Sequence, residues 1–176
     1  MIITQPIPEH APPWSKNYFK YIEEEESLLQ SMQGQREVFL TFLKSIPADK
    51  WDHRYEEGKW SIKGVVSHVI DTELIFQYRS LRASRYDATN MEGFDENAYD
   101  LAANLDERSP EQIINQFAAT RNSSIALFEG MNESNLDFIG MGNNQPFSAR
   151  SGGWLMVGHA IHHMHVIEER YLIGTD

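Results

Sequence analysis

The residues best suited to chemistry are histidines, and most of them lie in two short segments. His68 lies in HVIDTE, and His159, His162, His163 and His165 lie in GHAIHHMHVIEERY. His159 and His163 are four positions apart, which on a helix places both imidazoles on one face, about 5–6 Å apart at Cβ. Two such imidazoles, joined by a third from a facing helix, can hold one divalent ion and leave coordination positions open for water or substrate.

The pair His159 and His163 has a second interpretation, because a helix can also carry two histidines for packing or solubility. The neighbouring residues favour a buried helix; they include Leu155, Met156, Val157, Ile161, Val166 and Ile167. A buried imidazole needs a partner for each ring nitrogen. A metal on one nitrogen and a carboxylate or carbonyl on the other would satisfy both.

The composition limits the classes to which the protein can belong. Its 176 residues, 41% of them hydrophobic, suit one domain with a sizeable core. A net charge of −11 repels phosphate backbones and anionic lipids, so no nucleic acid or membrane surface is expected as a partner. The chain contains no cysteine, so any thiol in its chemistry must arrive with a substrate. No export signal or long apolar run is recognisable, and we expect a cytoplasmic location.

The first part of the chain predicts an arm followed by a helix. Residues 1–14 carry four of the seven prolines and should form an extended N-terminal arm, with residues 15–176 as a single domain. Apolar residues then recur at helical spacing over 15–46, and Pro47 ends that helix.

A second helix is expected to begin near Ser61 and to reach Ala83, because Trp60 and Val65 occupy the positions of a hydrophobic staple. The segment 84–107 is long, acidic and weakly periodic. It is either a lid or binding loop or a surface crossover.

Two further helices follow. The motif SPEQ, from Ser109, combines an N-cap serine, proline at the first helical position and glutamine three after the cap, and predicts a helix to about Met131. Residues 132–147 should form a loop, and the last helix should start between 148 and 154 and reach Leu172. The expected fold is therefore all-α, a four-helix up-down bundle with long connections.

Two segments resemble the signature segments of the DinB/YfiT-like superfamily. They are YEEGKWSIKGVVSHVIDTELIFQYRSLRASRYDATNMEGFDENAY and ARSGGWLMVGHAIHHMHVIEERYL. The resemblance implies a four-helix bundle in which three histidines bind a divalent ion, commonly nickel or zinc, and by motif position these are His68, His159 and His163. Neutral imidazoles also suit iron or manganese.

The resemblance also implies an activity on a small-molecule substrate. Some members of the superfamily are metal-dependent hydrolases, and others are S-transferases that use low-molecular-weight thiols such as bacillithiol or mycothiol. It implies no DNA binding, which agrees with the acidic composition, and a homodimer is expected because related proteins are often dimers.

Acidic residues and the extra histidines supply candidates around this site. Asp71 and Glu73 can orient a ligand imidazole or act as general base, or they are helix-surface acids; Asp71 is favoured because it shares the face of His68. His162 is expected to be a packing or supporting residue, because it points about 100° away from His163. His165 is expected on the outer face.

Three arginines advance by threes along the second helix, namely Arg79, Arg82 and Arg85. They can hold an anionic substrate or form salt bridges to the many acidic residues. Tyr99, in the long connection, is a candidate for the mouth of the site.

Three functions remain open from the sequence. The first is an enzyme whose three-His metal site activates water or a thiol, so that no protein nucleophile is required. The second is a non-catalytic, metal-dependent ligand-binding or stress-response module. The third is a metal-free bundle with buried histidines.

Overall fold

Helices make up most of the computed structural model, which describes residues 3–22 and 27–172. Its four long helices are α2 (Leu28–Ser45), α3 (Ile62–Ala83), α5 (Pro110–Glu129) and α6 (Ala149–Tyr171). Its shorter elements are α1 (Lys16–Phe19), α4 (Glu96–Ala102), the strands β1 (Gly140–Gly142) and β2 (Gln145–Phe147), and 3-10 turns at Pro8–His10, Pro13–Ser15, Ala48–Lys50, Leu105–Glu107 and Glu133–Asn135. None of the described helices combines the length and apolarity needed to cross a membrane.

The four long helices form a bundle in which α3 packs against α5 and α6, and α2 packs against the same two helices. Consecutive helices α2 and α3 therefore lie at opposite corners. Two apolar clusters fill the ends of the bundle; Met32, Phe76, Phe128 and Trp154 belong to one, and Phe39, Val66, Phe117 and Ile167 to the other.

The direction of each helix follows from the order in which it meets the two clusters. Helices α2 and α6 run from the first cluster to the second, and α3 and α5 run the opposite way. The predicted four-helix bundle is confirmed; its helices run up, down, down, up, so their order departs from a simple up-down alternation. The connection between the parallel neighbours α3 and α5 is long because it must return to the end where α3 began.

The local start signals in the sequence are confirmed. Ser61 caps α3, its Oγ accepting from the Gly64 amide at 3.1 Å. Ser109 and Gln112 form the reciprocal capping box of α5, with bonds of 3.2 and 2.9 Å. Ser148 caps α6 in the same manner, its Oγ accepting from the Ser151 amide at 3.1 Å. These side chains satisfy amides that the helix itself leaves without a partner.

The prediction of one helix over 15–46 is wrong. Helix α1 ends at Phe19, and the amide of Ile22 donates to the Phe19 carbonyl at 3.0 Å, a tight turn that stops the helix. Residues 23–26, which the predicted helix would also have covered, lie outside the described residues. Helix α2 begins anew at Leu28, whose amide donates to the carbonyl of the buried Ile3 at 3.0 Å.

The connection 132–147, predicted as a loop, contains a β-hairpin. Strands β1 and β2 pair antiparallel with Gly142 opposite Gln145, so only two residues form the turn. These are Asn143 and Asn144, with φ of 51° and 59°. Asparagine tolerates this left-handed region, which a two-residue hairpin turn requires. Strands of three residues are too short for a recognisable alternation in the sequence.

Candidate metal centre

Three imidazoles from two facing helices converge in the bundle. The Nε2 atom of His159 on α6 lies 3.1 Å from Nε2 of His68 on α3 and 3.0 Å from Nε2 of His163. One nitrogen from each ring lies within 4.8 Å of the other two. The predicted convergence is therefore found, between helices that run antiparallel.

Glycines at the start of α6 allow the helices to approach. A Cβ on Gly152 would lie 2.1 Å from Oγ of Ser80 on α3, and one on Gly153 would lie 2.5 Å from Cδ2 of Leu28 on α2. Neither position has room for a side chain. The glycine pair lowers intrinsic helix stability, but it brings the backbone of α6 close to both neighbours.

The three rings are held neutral by burial. Burial lowers the pKa of His68 to about 4. Burial, reinforced by the neighbouring imidazoles, also lowers the pKa of His159 and of His163 well below the usual value. Neutral imidazole is the form that coordinates a metal ion.

The arrangement of these nitrogens fits a metal ion better than a set of hydrogen bonds. Nε2 of His159 faces two other Nε2 atoms, yet it offers a single in-plane hydrogen or a single lone pair. One ion accepts a lone pair from each ring. With metal–nitrogen bonds of about 2.0–2.1 Å, ligand atoms lie at most about 4.2 Å apart, and both pairs that share His159 meet this limit.

Aromatic side chains surround the cluster. The Trp60 ring lies 4.9 Å from that of His68, and the Tyr18 ring lies 5.3 Å from that of His159. A Cβ on Gly158 would lie 2.6 Å from the Tyr18 carbonyl oxygen. Helix α1 can therefore reach His159 only because residue 158 is a glycine. These contacts fix the rings and reduce access of water to them.

The two additional histidines lie outside the cluster. Nδ1 of His162 lies 3.1 Å from the Tyr21 hydroxyl, and the His162 ring packs 5.5 Å from that of Tyr18. The His165 ring lies edge-on against Tyr21 at 5.2 Å. Both therefore act in packing between α6 and the N-terminal segment, as expected for His162, whereas His165 is half-buried rather than on an open outer face.

Asp71, the predicted orienting or proton-accepting group, lies beside the cluster without contacting an imidazole through a hydrogen bond. It lines a small crevice together with His68, Glu96, Tyr99 and Asp100. Burial raises the pKa of Asp71, opposed by the charge of Arg108. Its catalytic role stays a prediction.

Among the described residues, the second ring nitrogen of His163 lacks the carboxylate or carbonyl partner that a metal-binding imidazole is expected to have. Nδ1 of His163 is buried and accepts or donates no hydrogen bond within the described part of the chain.

Both interpretations of Glu73 are wrong. Its carboxylate is buried and receives two hydrogen bonds from Arg121, from Nε at 2.7 Å and from Nη2 at 2.8 Å. Arg121 also donates to the Met156 carbonyl at 3.1 Å and to the Gln35 side chain. The pair therefore joins the four long helices instead of serving an imidazole or the surface. The amphipathic spacing of α3 did not indicate that the charged residue Glu73 lies in the core.

A cavity of about 230 Å³ opens directly beside His159. Its walls come from three regions: Thr72, Phe76 and Arg79 of α3, Trp14 and Tyr18 near the N-terminus, and Gly93, Phe94, Glu96 and Asn143 of the two connections. The segment 84–107 thus lines the candidate site, and its Tyr99 borders the crevice at His68. Burial raises the pKa of Glu96, assisted by the charge of Asp95.

Among the residues of this cavity, sequence reasoning named only His159 and Arg79 as functional candidates. Thr72 follows His68 by four positions and was recognisable as a residue of the same helix face. Tyr18 and Glu96 reach the site only through tertiary packing, and no local pattern marks them.

The three arginines have different surroundings. Arg82 pairs with Asp87, Nε to Oδ2 at 2.6 Å, and Arg85 donates to Ser84 Oγ at 3.0 Å. The salt-bridge interpretation is therefore correct for Arg82. Arg79 instead lines the cavity.

Comparisons with known proteins agree with this fold. The family model described as the DinB superfamily matches residues 31–167. The chain is also similar to the solved structure of YfiT from Bacillus subtilis, described as a probable metal-dependent hydrolase with an unusual four-helix bundle topology. The TM-score is 0.72 at 15% identity, over 94% of this chain and 90% of that one, which supports the fold. The curated proteins contain no significant match.

Proposed function

Because the chain belongs to the DinB superfamily, we propose that it is a divalent-metal-dependent enzyme in which His68, His159 and His163 hold the ion. The observation that carries this proposal is the convergence of three neutral imidazole nitrogens next to a cavity that a small substrate can enter. Nickel or zinc suits the donor set, and iron or manganese also fits. The ion would supply Lewis acidity, lowering the pKa of a nucleophile and polarising the substrate.

The protein side chains bind the substrate and handle protons. Trp14, Phe76 and Phe94 form apolar walls that orient a substrate and exclude water. Asp71 and Glu96 border His68 from two different helices, and burial raises the pKa of each. A carboxylate there can take the proton of the nucleophile and return it to the leaving group.

Hydrolysis is the reaction that needs the fewest assumptions. Water forms the new bond to the electrophilic atom, its proton passes to a carboxylate, and the leaving group departs with that proton. The chain has no cysteine, so the nucleophile comes from solution.

Transfer to a low-molecular-weight thiol is a second candidate, favoured by one observation. A further cavity of about 240 Å³ borders His163, with Lys59, Trp60 and Asn97 among its lining residues. A thiol bound there would approach the centre at His163, from a cavity that shares no lining residue with the substrate cavity at His159. Its sulfur would form the new bond in place of water, with the same proton transfer.

The proposal is tested by turnover. Protein purified without an affinity tag is analysed for metal, stripped with chelator and reloaded with Ni²⁺ or Zn²⁺. Single-turnover assays with a panel of electrophiles, with and without thiols, should lose activity on stripping and regain it on reloading. A rate increase that requires the thiol identifies transfer, and activity without thiol identifies hydrolysis.

Matched variants on α6 make the assay decisive. His163→Ala should be inactive, whereas His165→Ala, two residues further and outside the cluster, should retain the rate of the parent protein. Equal rates in the His163→Ala and parent proteins would refute the metal-centred mechanism. Ligand affinity without turnover would indicate a binding module instead.

A further inference from the structure

Arg79 is a buried cation without a counter-charge. Its side chain is only 5% exposed, and its one hydrogen bond runs from Nη2 to the Glu92 carbonyl oxygen at 2.7 Å. No carboxylate of residues 3–22 or 27–172 forms an ion pair with it. Burial lowers the pKa of Arg79, and no neighbouring carboxylate opposes that effect.

The other buried cations of the described chain show how unusual this is. Arg121 pairs with Glu73 at 2.7 Å, Arg150 with Asp137 at 2.7 Å and Lys63 with Asp52 at 2.9 Å. A buried charge is costly unless it is paired. Arg79 has only a neutral carbonyl oxygen as partner. Its positive charge is therefore available to an anionic ligand.

Arg79 lies on the same helix face as His68 and in the same cavity as His159. His68, Thr72, Phe76 and Arg79 follow one another at spacings of four, four and three, which places them on one face of α3. Arg79 and His159 line the same cavity of about 230 Å³. The Cα atoms of His68 and Arg79 are separated by roughly 16 Å along the helix, a span that Thr72 and Phe76 fill.

The guanidinium is held in place before any ligand arrives. The Glu92 carbonyl fixes one end of it, and the β-hairpin lies against its stem, since a Cβ on Gly142 would be 3.2 Å from Arg79 Cδ. A group fixed in this way loses little conformational entropy on binding a ligand.

A second polar group in the cavity lacks a partner. The hydroxyl of Thr72 is buried and makes no hydrogen bond to any described residue, although Thr72 is only 4% exposed. A buried hydroxyl without a partner is costly, and a polar ligand in the cavity would satisfy it.

Building on the proposed function, we infer that Arg79 binds the carboxylate of the substrate, which spans the cavity with its reacting group at the metal centre. The guanidinium presents two parallel N–H donors that match a carboxylate. Glu96 in the same cavity disfavours a dianion, so a monoanionic carboxylate fits better than a phosphate monoester. The cavity is smaller than the ~300–1,000 Å³ typical of pockets for drug-sized ligands, and its aromatic walls suit a compact apolar body.

The inference is tested by comparing phenylacetate with its neutral analogue phenylacetamide. Both are titrated calorimetrically at pH 7.5 into full-length protein, once metal-free and once loaded with nickel. The metal-free titration is essential because a carboxylate can also bind the ion directly. The parent protein should bind phenylacetate about 10- to 100-fold more tightly than the amide in both forms, as expected for charge-assisted hydrogen bonds.

Substitutions separate recognition from folding. Arg79→Gln should bind the two probes equally and keep the amide affinity of the parent protein. Arg79→Lys, which retains charge without the planar fork, should have an intermediate preference. Arg82→Gln, three residues later and paired with Asp87, is the matched control and should keep the full preference.

Three results would overturn the inference. These are no phenylacetate binding by the parent protein, an unchanged carboxylate preference in Arg79→Gln, or loss of both probes in that variant, which would assign Arg79 a purely structural role. A parent protein that binds nickel but shows no preference for phenylacetate over phenylacetamide refutes this inference alone. Absence of nickel binding with the preference preserved refutes the metal-dependent function alone.

Discussion

The backbone of Tyr18 lies so close to Gly158 that a Cβ on the glycine would be 2.6 Å from the Tyr18 carbonyl oxygen. Gly158 directly precedes His159, whose ring the Tyr18 side chain contacts at 5.3 Å. Because Gly158 has no side chain, α1 can cover the histidine cluster. A close contact between two backbones cannot relax by a rotamer change.

Gly158→Ala should therefore lower the free energy of unfolding by about 1–3 kcal/mol, the usual cost of overpacking. It should also weaken metal binding, because Tyr18 is displaced from His159. Urea denaturation and a nickel titration measure the two effects. The control is Gly34→Ala on α2, where a Cβ meets nothing within 4 Å; it should be neutral or stabilising by up to about 1 kcal/mol. Equal stability of the two variants would contradict the packing argument.

Metal binding should stabilise the folded protein through the histidine cluster. Ni²⁺ at 100 times its dissociation constant adds about 2.7 kcal/mol, which corresponds to a rise in melting temperature of roughly 5–10 °C for a chain of this size. His159→Ala should abolish the rise, because Nε2 of this residue faces both other rings. His165→Ala should retain it. A thermal shift that persists in His159→Ala would indicate an ion bound elsewhere.

The sequence predicted those features that depend on neighbouring residues. The caps at Ser61 and Ser109 fixed the starts of α3 and α5, and the four-residue spacing of His159 and His163 placed both rings on one face. Features that depend on tertiary contacts were not predictable. The amide of Leu28 donates to the carbonyl of Ile3, and Glu73 pairs with Arg121, which lies 48 positions later in the sequence. Neither relationship leaves a periodic signal.

The metal-free protein should lose stability as the pH falls below about 6.5. In the unfolded chain His68 titrates near 6.5, whereas burial lowers its pKa to about 4 in the folded state. Between these two pKa values the unfolded state therefore binds more protons than the folded state. The free energy of unfolding decreases as the pH falls, by up to about 1.4 kcal/mol per pH unit for this residue. The titratable groups near His68 are His159, His163, Asp71, Glu96, Tyr99 and Asp100, and a difference measurement removes their common contribution.

Urea unfolding of the parent and His68→Gln proteins at pH 7.5, 6.5, 5.5 and 4.5 measures this effect. The parent protein should lose more stability than the variant over that interval. Parallel curves for the two proteins would mean that His68 is accessible to protons in the folded state.

The buried pair of Glu73 and Arg121 should be the most sensitive ionic contact in the described chain. Its side chains are 1% and 0% exposed, and Arg121 also bonds to Gln35 and to the Met156 carbonyl. Glu73→Gln keeps the shape of the side chain but leaves the guanidinium charge uncompensated in the core. We expect a loss of about 3–5 kcal/mol in the free energy of unfolding, measured by urea denaturation. Asp87→Asn, which removes the charge of the half-buried partner of Arg82 near the surface, should cost only a small fraction of that loss. The double variant Glu73→Gln/Arg121→Met should recover part of the loss, because it removes the unpaired charge together with its partner. A double variant less stable than Glu73→Gln alone would show that Arg121 stabilises the bundle through its bonds to α2 and α6 rather than through the ion pair.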